Sequence, residues 1–178
     1  MTNTYTEFRF ASLDDAPDVV ALVESAYRGD SSRVGWTTEA DILGGQRTDL
    51  DEVTSIIHDP TARLILANCN SQLTGCVLVR DEKASAYIGM LAIRPEHQAH
   101  GLGRKLLEQA EQCARSTWAA AMARMTVIVQ REELIQYYER RGYCRTEHRE
   151  PFPYGDPRFG LPKRPDLEFI VLEKPLAS

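Results

Sequence analysis

Hydrophobic positions change their spacing along the chain in a way that separates strands from helices. Almost wholly apolar runs of strand length occupy 63–67, 75–79, 86–93 and 125–129. Such runs, rich in Val, Ile and Leu, are typical of strands buried in a sheet. Apolar residues at helical spacing follow Pro17, Gly103 and Glu133. These stretches predict helices packed against the sheet.

Taken in order, the patterns predict β–α–α–β–β–β–α–β–α–β–β. Thr37 or Thr38 is expected to begin a helix that the Gly44-Gly45 pair separates from a second helix around Val53. Gly89 lies inside a strand and indicates a bulge or the close approach of another group.

The segment 151–165 contains five prolines and two glycines, which exclude regular structure, and three aromatic residues, which argue against a free linker. We interpret it as a packed surface loop that covers a pocket.

Composition narrows the class of protein. A length of 178 residues fits a single domain spanning 1–178, and a net charge of −5 argues against a nucleic-acid-binding surface. No apolar stretch could span a bilayer, and the N-terminus shows no signal peptide, so no membrane association and a cytoplasmic location are expected.

The four cysteines lack C-x-x-C spacing, and His97 and His100 have no matching second pair. We therefore expect buried free thiols and no metal site.

The stretch from Met90 to Leu107 carries the clearest chemical signal. A strand ends at Arg94-Pro95, a polar loop follows, and Gly101-Leu102-Gly103 leads directly into a helix. Glycines at such a junction leave backbone N–H groups uncovered, and the helix adds its positive end, so this turn predicts a pyrophosphate site. The Walker A string is absent, and the dinucleotide fingerprint fails because Leu106 stands where its third glycine should be.

Gln98-x-x-Gly101-x-Gly103, preceded by Ile93-x-Pro95, resembles the acetyl-CoA signature of the GNAT superfamily of N-acetyltransferases. The second motif, Tyr138 followed four residues later by Gly142-Tyr143, is similar to another motif of that family. The resemblance covers nearly the whole chain. It implies a mixed α/β (α+β) fold whose mostly antiparallel central sheet is flanked by helices, with acetyl-CoA as co-substrate. The residues that it implies for coenzyme binding are Leu91, Ala92, Ile93, Gln98, Ala99, His100, Gly101, Leu102, Gly103 and Arg104.

The resemblance also implies that Tyr138 protonates the departing coenzyme thiolate, which is chemically reasonable for a phenol. Tyr138 can equally pack on Leu134, and Tyr137 is the alternative if the register shifts by one residue. Many family members have asparagine where this chain has Arg131. Arg131 could instead form a salt bridge near Glu132 or reach the coenzyme.

The acceptor must present a neutral nucleophile, and deprotonating an alkylamine at pH 7 costs roughly 4–5 kcal/mol. A general base is therefore expected, with Glu39 and Glu82 as candidates, although Glu39 can equally be a carboxylate at a helix start. The resemblance places the acceptor pocket around Arg33, Trp36, Arg47 and Tyr87, and Trp36 either stacks on the substrate or packs between helices.

The sequence thus predicts an N-acetyltransferase that moves an acetyl group to an amine of a small molecule or peptide by direct attack in a ternary complex. A non-catalytic acyl-CoA-binding module and a protein-interaction domain are the alternatives. The acceptor and the oligomeric state, including a homodimer, are left open.

Overall fold

A computed structural model describes residues 5–177, and its main strands and helices follow the predicted order, with three short additional elements at Gly29–Ser32, Leu43–Gly44 and Leu161–Pro162. Residues 1–4, which carry part of the expectation about a signal peptide, lie outside the described residues. The strands are β1 (Thr6–Phe10), β2 (Leu43–Gly44), β3 (Ala62–Cys69), β4 (Gln72–Asp81), β5 (Ala86–Ile93), β6 (Met122–Ile128), β7 (Cys144–Pro151), β8 (Leu161–Pro162) and β9 (Glu168–Pro175). The helices are α1 (Ala16–Tyr27), α2 (Gly29–Ser32), α3 (Leu50–His58), α4 (Leu102–Trp118) and α5 (Glu132–Glu139), with 3-10 turns at Leu13–Asp15, Pro95–His97 and Pro157–Phe159.

Seven strands form the central sheet in the order β1-β3-β4-β5-β6-β9-β7. Within this sheet, β5 and β6 pair in parallel and the other described pairs are antiparallel. The predicted mixed, mostly antiparallel sheet flanked by helices is therefore confirmed.

Both faces of the sheet are buried, which explains the unbroken apolar runs. Val77 and Val79 of β4 join the hydrophobic cluster under α4 and α5, whereas Cys76 and Leu78 join the opposite cluster under α1 and α3. Successive side chains of a strand point to opposite faces, so an all-apolar run supplies two cores at once.

The helix predicted to begin at Thr37 or Thr38 does not form. The chain bends and turns over 39–42, and Leu43 and Gly44 then pair with Leu161 and Pro162 of β8. The weak local helical signal, interrupted by two glycines, is overridden by this pairing and by burial of the Glu39 side chain.

The prediction of buried cysteines is correct for Cys76 and Cys113, while Cys69 is half-buried. It is wrong for Cys144, which is exposed because β7 is the edge strand of the sheet. Among residues 5–177, no helix combines the length and apolar character needed to cross a bilayer.

The parallel pair β5 and β6 opens a gap in the sheet. The two strands pair only at Ala86↔Ala123 and Tyr87↔Arg124, and beyond these positions β6 stays paired with β9 alone. On its other side β5 bulges against β4, where the register shifts between Cys76 and Leu78 and Met90 takes a positive φ of 49°. The bulge predicted near Gly89 is thus confirmed, and the strand edge beyond it faces the gap.

Candidate active site

Two cavities open from the gap between β5 and β6. The large cavity has a volume of about 520 Å³ and extends along both strands to the proline-rich loop. The small cavity, of about 200 Å³, lies between the end of β5, the start of α4 and α5. The residues that line both cavities are Tyr27, Leu91, Arg131, Leu134 and Tyr138.

The glycine turn before α4 offers a row of free amides beside the small cavity. The N–H groups from Ala99 to Arg104 donate to no acceptor within residues 5–177, and the helical bonds begin with Lys105, whose amide nitrogen is 3.1 Å from the Gly101 carbonyl oxygen. Ala99 and Gly101 have positive φ values of 65° and 78°. Consecutive uncovered amides at a helix start are an anion-binding arrangement.

The predicted coenzyme residues divide into two groups. Those that line the small cavity are Leu91, Ala92, Ile93, Gln98, Ala99, Gly101 and Gly103. His100 and Arg104 are outside it, and Leu102 is buried in the core. The side chain of Arg104 is paired with Glu108 at 2.9 Å, so its charge is partly neutralised without an anion.

The Gln98 side chain acts as a structural bridge rather than projecting freely. Its Nε2 donates to the Ile93 carbonyl at 3.1 Å, and its Oε1 accepts from the Trp36 amide at 3.1 Å. A Cβ atom on Gly35 would lie 2.2 Å from Gln98 Oε1, so a larger residue there would displace this side chain. Gln98 therefore fastens the 35–36 loop to the end of β5.

Trp36 lies on the small cavity and not on the large one. Its ring packs on Tyr137 with centroids 5.2 Å apart, and the Arg141 guanidinium lies 3.4 Å from the centroid of the same Tyr137 ring. Arg33 lines neither cavity and pairs with Asp41 at 2.6 Å.

Tyr138 stands at the junction of the two cavities. Edge-to-face contacts with Tyr137 and Tyr143 hold its ring, with centroid distances of 5.4 Å and 5.9 Å. Burial, reinforced by Tyr27 and Tyr137, raises the pKa of Tyr138 well above that of an ordinary phenol. The phenol therefore stays protonated at neutral pH and can serve as a proton donor.

Tyr27, which the sequence analysis did not single out, fixes the strand edge at the junction. Its hydroxyl donates to the Leu91 carbonyl at 2.6 Å, and burial raises the pKa of Tyr27 to about 12. Arg47 lies over the Tyr27 ring, 5.3 Å from its centroid, and lines the large cavity. The only sequence signal for Tyr27 is its place at the end of the apolar face of α1.

Glu39 is buried between two arginines, which makes it unsuited to the predicted role of general base. Its Oε2 pairs with Arg28, and its Oε1 lies 2.9 Å from Arg131 Nη1. Burial alone would raise the pKa of Glu39, but the charges of Arg131, Arg28 and Arg47 outweigh it and hold the pKa below its ordinary value. A carboxylate with both oxygens engaged and a lowered pKa is a weak base.

Arg131 is explained by the same ion pair. Its Nη2 also donates to Thr37 Oγ1 at 2.6 Å, so it joins the start of α5 to the 37–39 loop rather than to Glu132. The salt bridge expected near Glu132 is therefore formed with Glu39 instead, a contact across 92 positions of the chain that no local pattern reveals.

Glu82 and Tyr87 line the opposite end of the large cavity. Glu82 lies 3.7 Å from Arg124 and precedes the segment of β5 that reaches Leu91. At about 3.3 Å per residue, the span from Ala86 to Leu91 alone is roughly 16 Å. Glu82 can therefore contact the distal part of an extended acceptor but is remote from Leu91.

The proline-rich loop covers the large cavity, as its aromatic content predicted. Phe152 and Phe159 line the cavity. The expectation that this segment has no regular structure is wrong, because Pro157–Phe159 forms a 3-10 turn and β8 pairs with β2, which lies far away in sequence. Two further carboxylates in the lining, Glu52 and Glu150, were missed because neither belongs to a recognisable motif. No three potential metal-ligating side chains (His, Cys, Asp or Glu) converge within 5–177.

Several solved acetyltransferase structures share this fold. The fold resembles that of YncA from Salmonella typhimurium, described as a candidate acetyltransferase and solved with its cofactor acetyl-CoA, with a TM-score of 0.72, 18% identity, and coverage of 98% of this chain and 96% of that one. It also resembles the ribosomal-protein-S18-alanine N-acetyltransferase from Escherichia coli (TM-score 0.71, 14% identity, 98% and 96% coverage) and nourseothricin acetyltransferase (TM-score 0.69, 19% identity, 98% and 100% coverage).

No curated protein sequence matches the chain. The family model described as "Acetyltransferase (GNAT) domain" matches residues 39–152, which span β2 to the end of the edge strand β7 and include both strands that border the gap. The chain therefore belongs to the GNAT acetyltransferase family and is an acyltransferase.

Proposed function

We propose that the protein transfers the acetyl group of acetyl-CoA to a primary amine by direct attack within a ternary complex. The observation that supports this most strongly is the meeting of two cavities at Tyr138. The small cavity, with its free amides, suits the pantetheine and pyrophosphate of the coenzyme, and the large cavity suits the acceptor. A non-catalytic coenzyme-binding module would need only the small cavity.

The reaction would proceed along the exposed edge of β5. The neutral amine attacks the thioester carbonyl carbon, the C–S bond breaks, and Tyr138 gives its proton to the leaving thiolate. The amine proton passes to solvent or to a base, leaving an acetamide and the free thiol of CoA. Backbone groups near Leu91 would orient the thioester.

Direct transfer is favoured over a covalent intermediate. Among the described residues that line the two cavities there is no cysteine. Cys76 belongs to β4 and points into the hydrophobic cluster under α1 and α3. Burial raises the pKa of its thiol to about 12, and its Sγ lies 3.5 Å from the Met90 carbonyl oxygen. A thiol so protonated is a poor nucleophile.

The test compares Tyr138→Phe with Tyr137→Phe. Loss of a general acid predicts a fall in kcat of about 10²-fold for Tyr138→Phe, with the Kd for acetyl-CoA from calorimetry unchanged. Tyr137 lines only the small cavity and its hydroxyl faces Gly103, so Tyr137→Phe should alter coenzyme affinity rather than kcat. An unchanged kcat in Tyr138→Phe, with intact coenzyme binding, would refute the role of Tyr138.

A further inference from the structure

The large cavity contains an arginine without an acidic partner. Of the five arginines that line it, four have a carboxylate within 4.0 Å: Arg28, Arg80, Arg124 and Arg131. Arg47 has none within the described part of the chain, although Glu39 and Glu52 lie near enough to influence it. Its side chain is half-buried, so water compensates its charge only in part.

The orientation of Arg47 leaves its donors available. The guanidinium lies over the Tyr27 ring, with Cζ 5.3 Å from the ring centroid, and a cation–π contact of this kind does not use up its N–H groups. The N–H groups at its edge remain free to form a bidentate contact with a planar anion. Tyr27 in turn holds the Leu91 carbonyl, which places Arg47 beside the edge of β5 where the thioester is proposed to lie.

Charge is unevenly distributed along the cavity. Near the junction with the small cavity, the lining holds the guanidinium groups of Arg28, Arg47 and Arg131 and the carboxylates of Glu39 and Glu52. Outside the lining, the Glu24 carboxylate accepts from the backbone amides of Arg47 and Thr48 and does not pair with the Arg47 guanidinium. The Nε atom of Arg131, a side chain that is 6% exposed, is buried without an acceptor. This end therefore has a guanidinium group without a carboxylate partner and a buried donor without an acceptor, which an anionic ligand would compensate.

At the opposite end, Arg124 is shared between the carboxylates of Glu82 and Glu150, and Arg80 pairs with Asp59, so both arginines there have carboxylate partners. Between the ends the walls are apolar, with Leu78, Ile88, Val127 and Phe152 among the lining residues. The cavity thus combines an anion site beside the reacting centre with space for an apolar group.

We propose that the acceptor is an amino acid or a close analogue, in which a carboxylate near the reactive amine binds to Arg47 and an apolar side chain lies on the cavity wall. This inference depends on the proposed function and narrows its substrate class. A polyamine or a simple alkylamine lacks the anion that Arg47 would bind.

The first experiment uses the unmodified protein and matched acceptors. Release of free CoA from acetyl-CoA is measured with leucine and leucinamide, and with phenylalanine and phenylalaninamide. We expect kcat/KM to be about 30-fold or more higher for each acid than for its amide, after correction for the fraction of neutral amine at the assay pH. Equal or better use of the amides would overturn the assignment.

The second experiment changes the arginine. Arg47→Gln should lower kcat/KM for the acids by about 30-fold or more, a loss about tenfold larger than that for the amides, and Arg47→Lys should recover part of the loss. Arg63→Gln is the matched control, because Arg63 also lies over an aromatic ring, that of Trp118 at 5.7 Å, but lines neither cavity. Parallel losses for acids and amides in Arg47→Gln would show a structural role only and would overturn the carboxylate site.

A binding measurement separates this inference from the proposed function. With CoA present, calorimetry should give N-acetyl-leucine a Kd about tenfold or more below that of N-acetyl-leucinamide, independently of turnover. If spermidine or another amine without a carboxylate is acetylated efficiently and the acids are not, N-acetyl transfer stands and the carboxylate site fails. If no amine in the panel is acetylated although acetyl-CoA binds, both proposals fail.

Discussion

At the scale of single residues, Glu39 shows how a side chain's chemistry depends on contacts far away in sequence. From its neighbours in sequence, Glu39 could be either a carboxylate at the start of a helix or a general base in a loop. In the fold it is the shared anion of two buried arginines, one from the end of α1 and one from the start of α5.

This environment leads to a prediction about stability. Glu39→Gln leaves Arg28 and Arg131 without their counter-charge, and breaking such a buried pair typically costs about 3–5 kcal/mol. Chemical denaturation at pH 7 should therefore show a loss of about 3 kcal/mol or more in the free energy of unfolding. A variant as stable as the parent but catalytically dead would instead support Glu39 as the base.

The same pair predicts a pH dependence. Because the pKa of Glu39 in the folded protein lies below its ordinary value of 4.5, its contribution to stability is complete above pH 4.5 and is lost as the pH falls through the folded value. The stability difference between the parent and Glu39→Gln should therefore shrink as the pH is lowered below 4.5. A difference that stays constant down to about pH 2 would contradict the ion-pair interpretation.

At the scale of elements, the turn into α4 and the separation of β5 from β6 create the site together. The turn supplies amides because Gly101 adopts a left-handed conformation, and the strands supply a free edge because they stop pairing after Tyr87. Neither element alone would hold both a phosphate and a thioester.

The Gly103→Ala substitution tests whether the turn before α4 binds the coenzyme. Alanine there suits the helix better than glycine by about 1 kcal/mol, and the close contact of its Cβ would be with the end of the Tyr137 side chain, at 2.8 Å. Gly103→Ala should thus keep the Tm of the unliganded protein unchanged or raise it slightly, while the added methyl group weakens acetyl-CoA binding about tenfold. Calorimetry that finds an unchanged Kd would show that the coenzyme does not approach this amide closely.

At the scale of the whole molecule, the two cavities approach the same tyrosine from different directions. If they hold the coenzyme and the acceptor as proposed, both ligands can be bound at the same time. Initial-velocity measurements at varied acetyl-CoA and amine concentrations should give intersecting lines in double-reciprocal plots. Parallel lines would indicate a covalent acetyl-enzyme and would conflict with the absence of a cysteine from the described cavity walls.

Much of this architecture followed from local pattern. The apolar runs identified β3 to β6, and the two motifs, Gln98 to Gly103 and Tyr138 to Tyr143, pointed to the turn before α4 and to the tyrosine at the junction of the cavities. The spacing of apolar residues shows which faces of a helix or strand are buried, so it predicts these elements wherever they pack regularly. The helix expected after Thr37 does not form, because part of that segment pairs as β2 with β8, which lies more than a hundred residues later in the chain.

The sequence by itself determined the order of the main strands and helices and the position of the glycine turn, because each depends on neighbouring residues and their periodicity, and the resemblance of its two motifs indicated the family. Only the tertiary structure decided that Glu39 is an ion-pair partner, that Trp36 lies beside the small cavity, and that Arg47 has no acidic partner within the described residues. Ion pairing and burial depend on distances between residues that are far apart in the chain, and a local sequence pattern does not determine those distances.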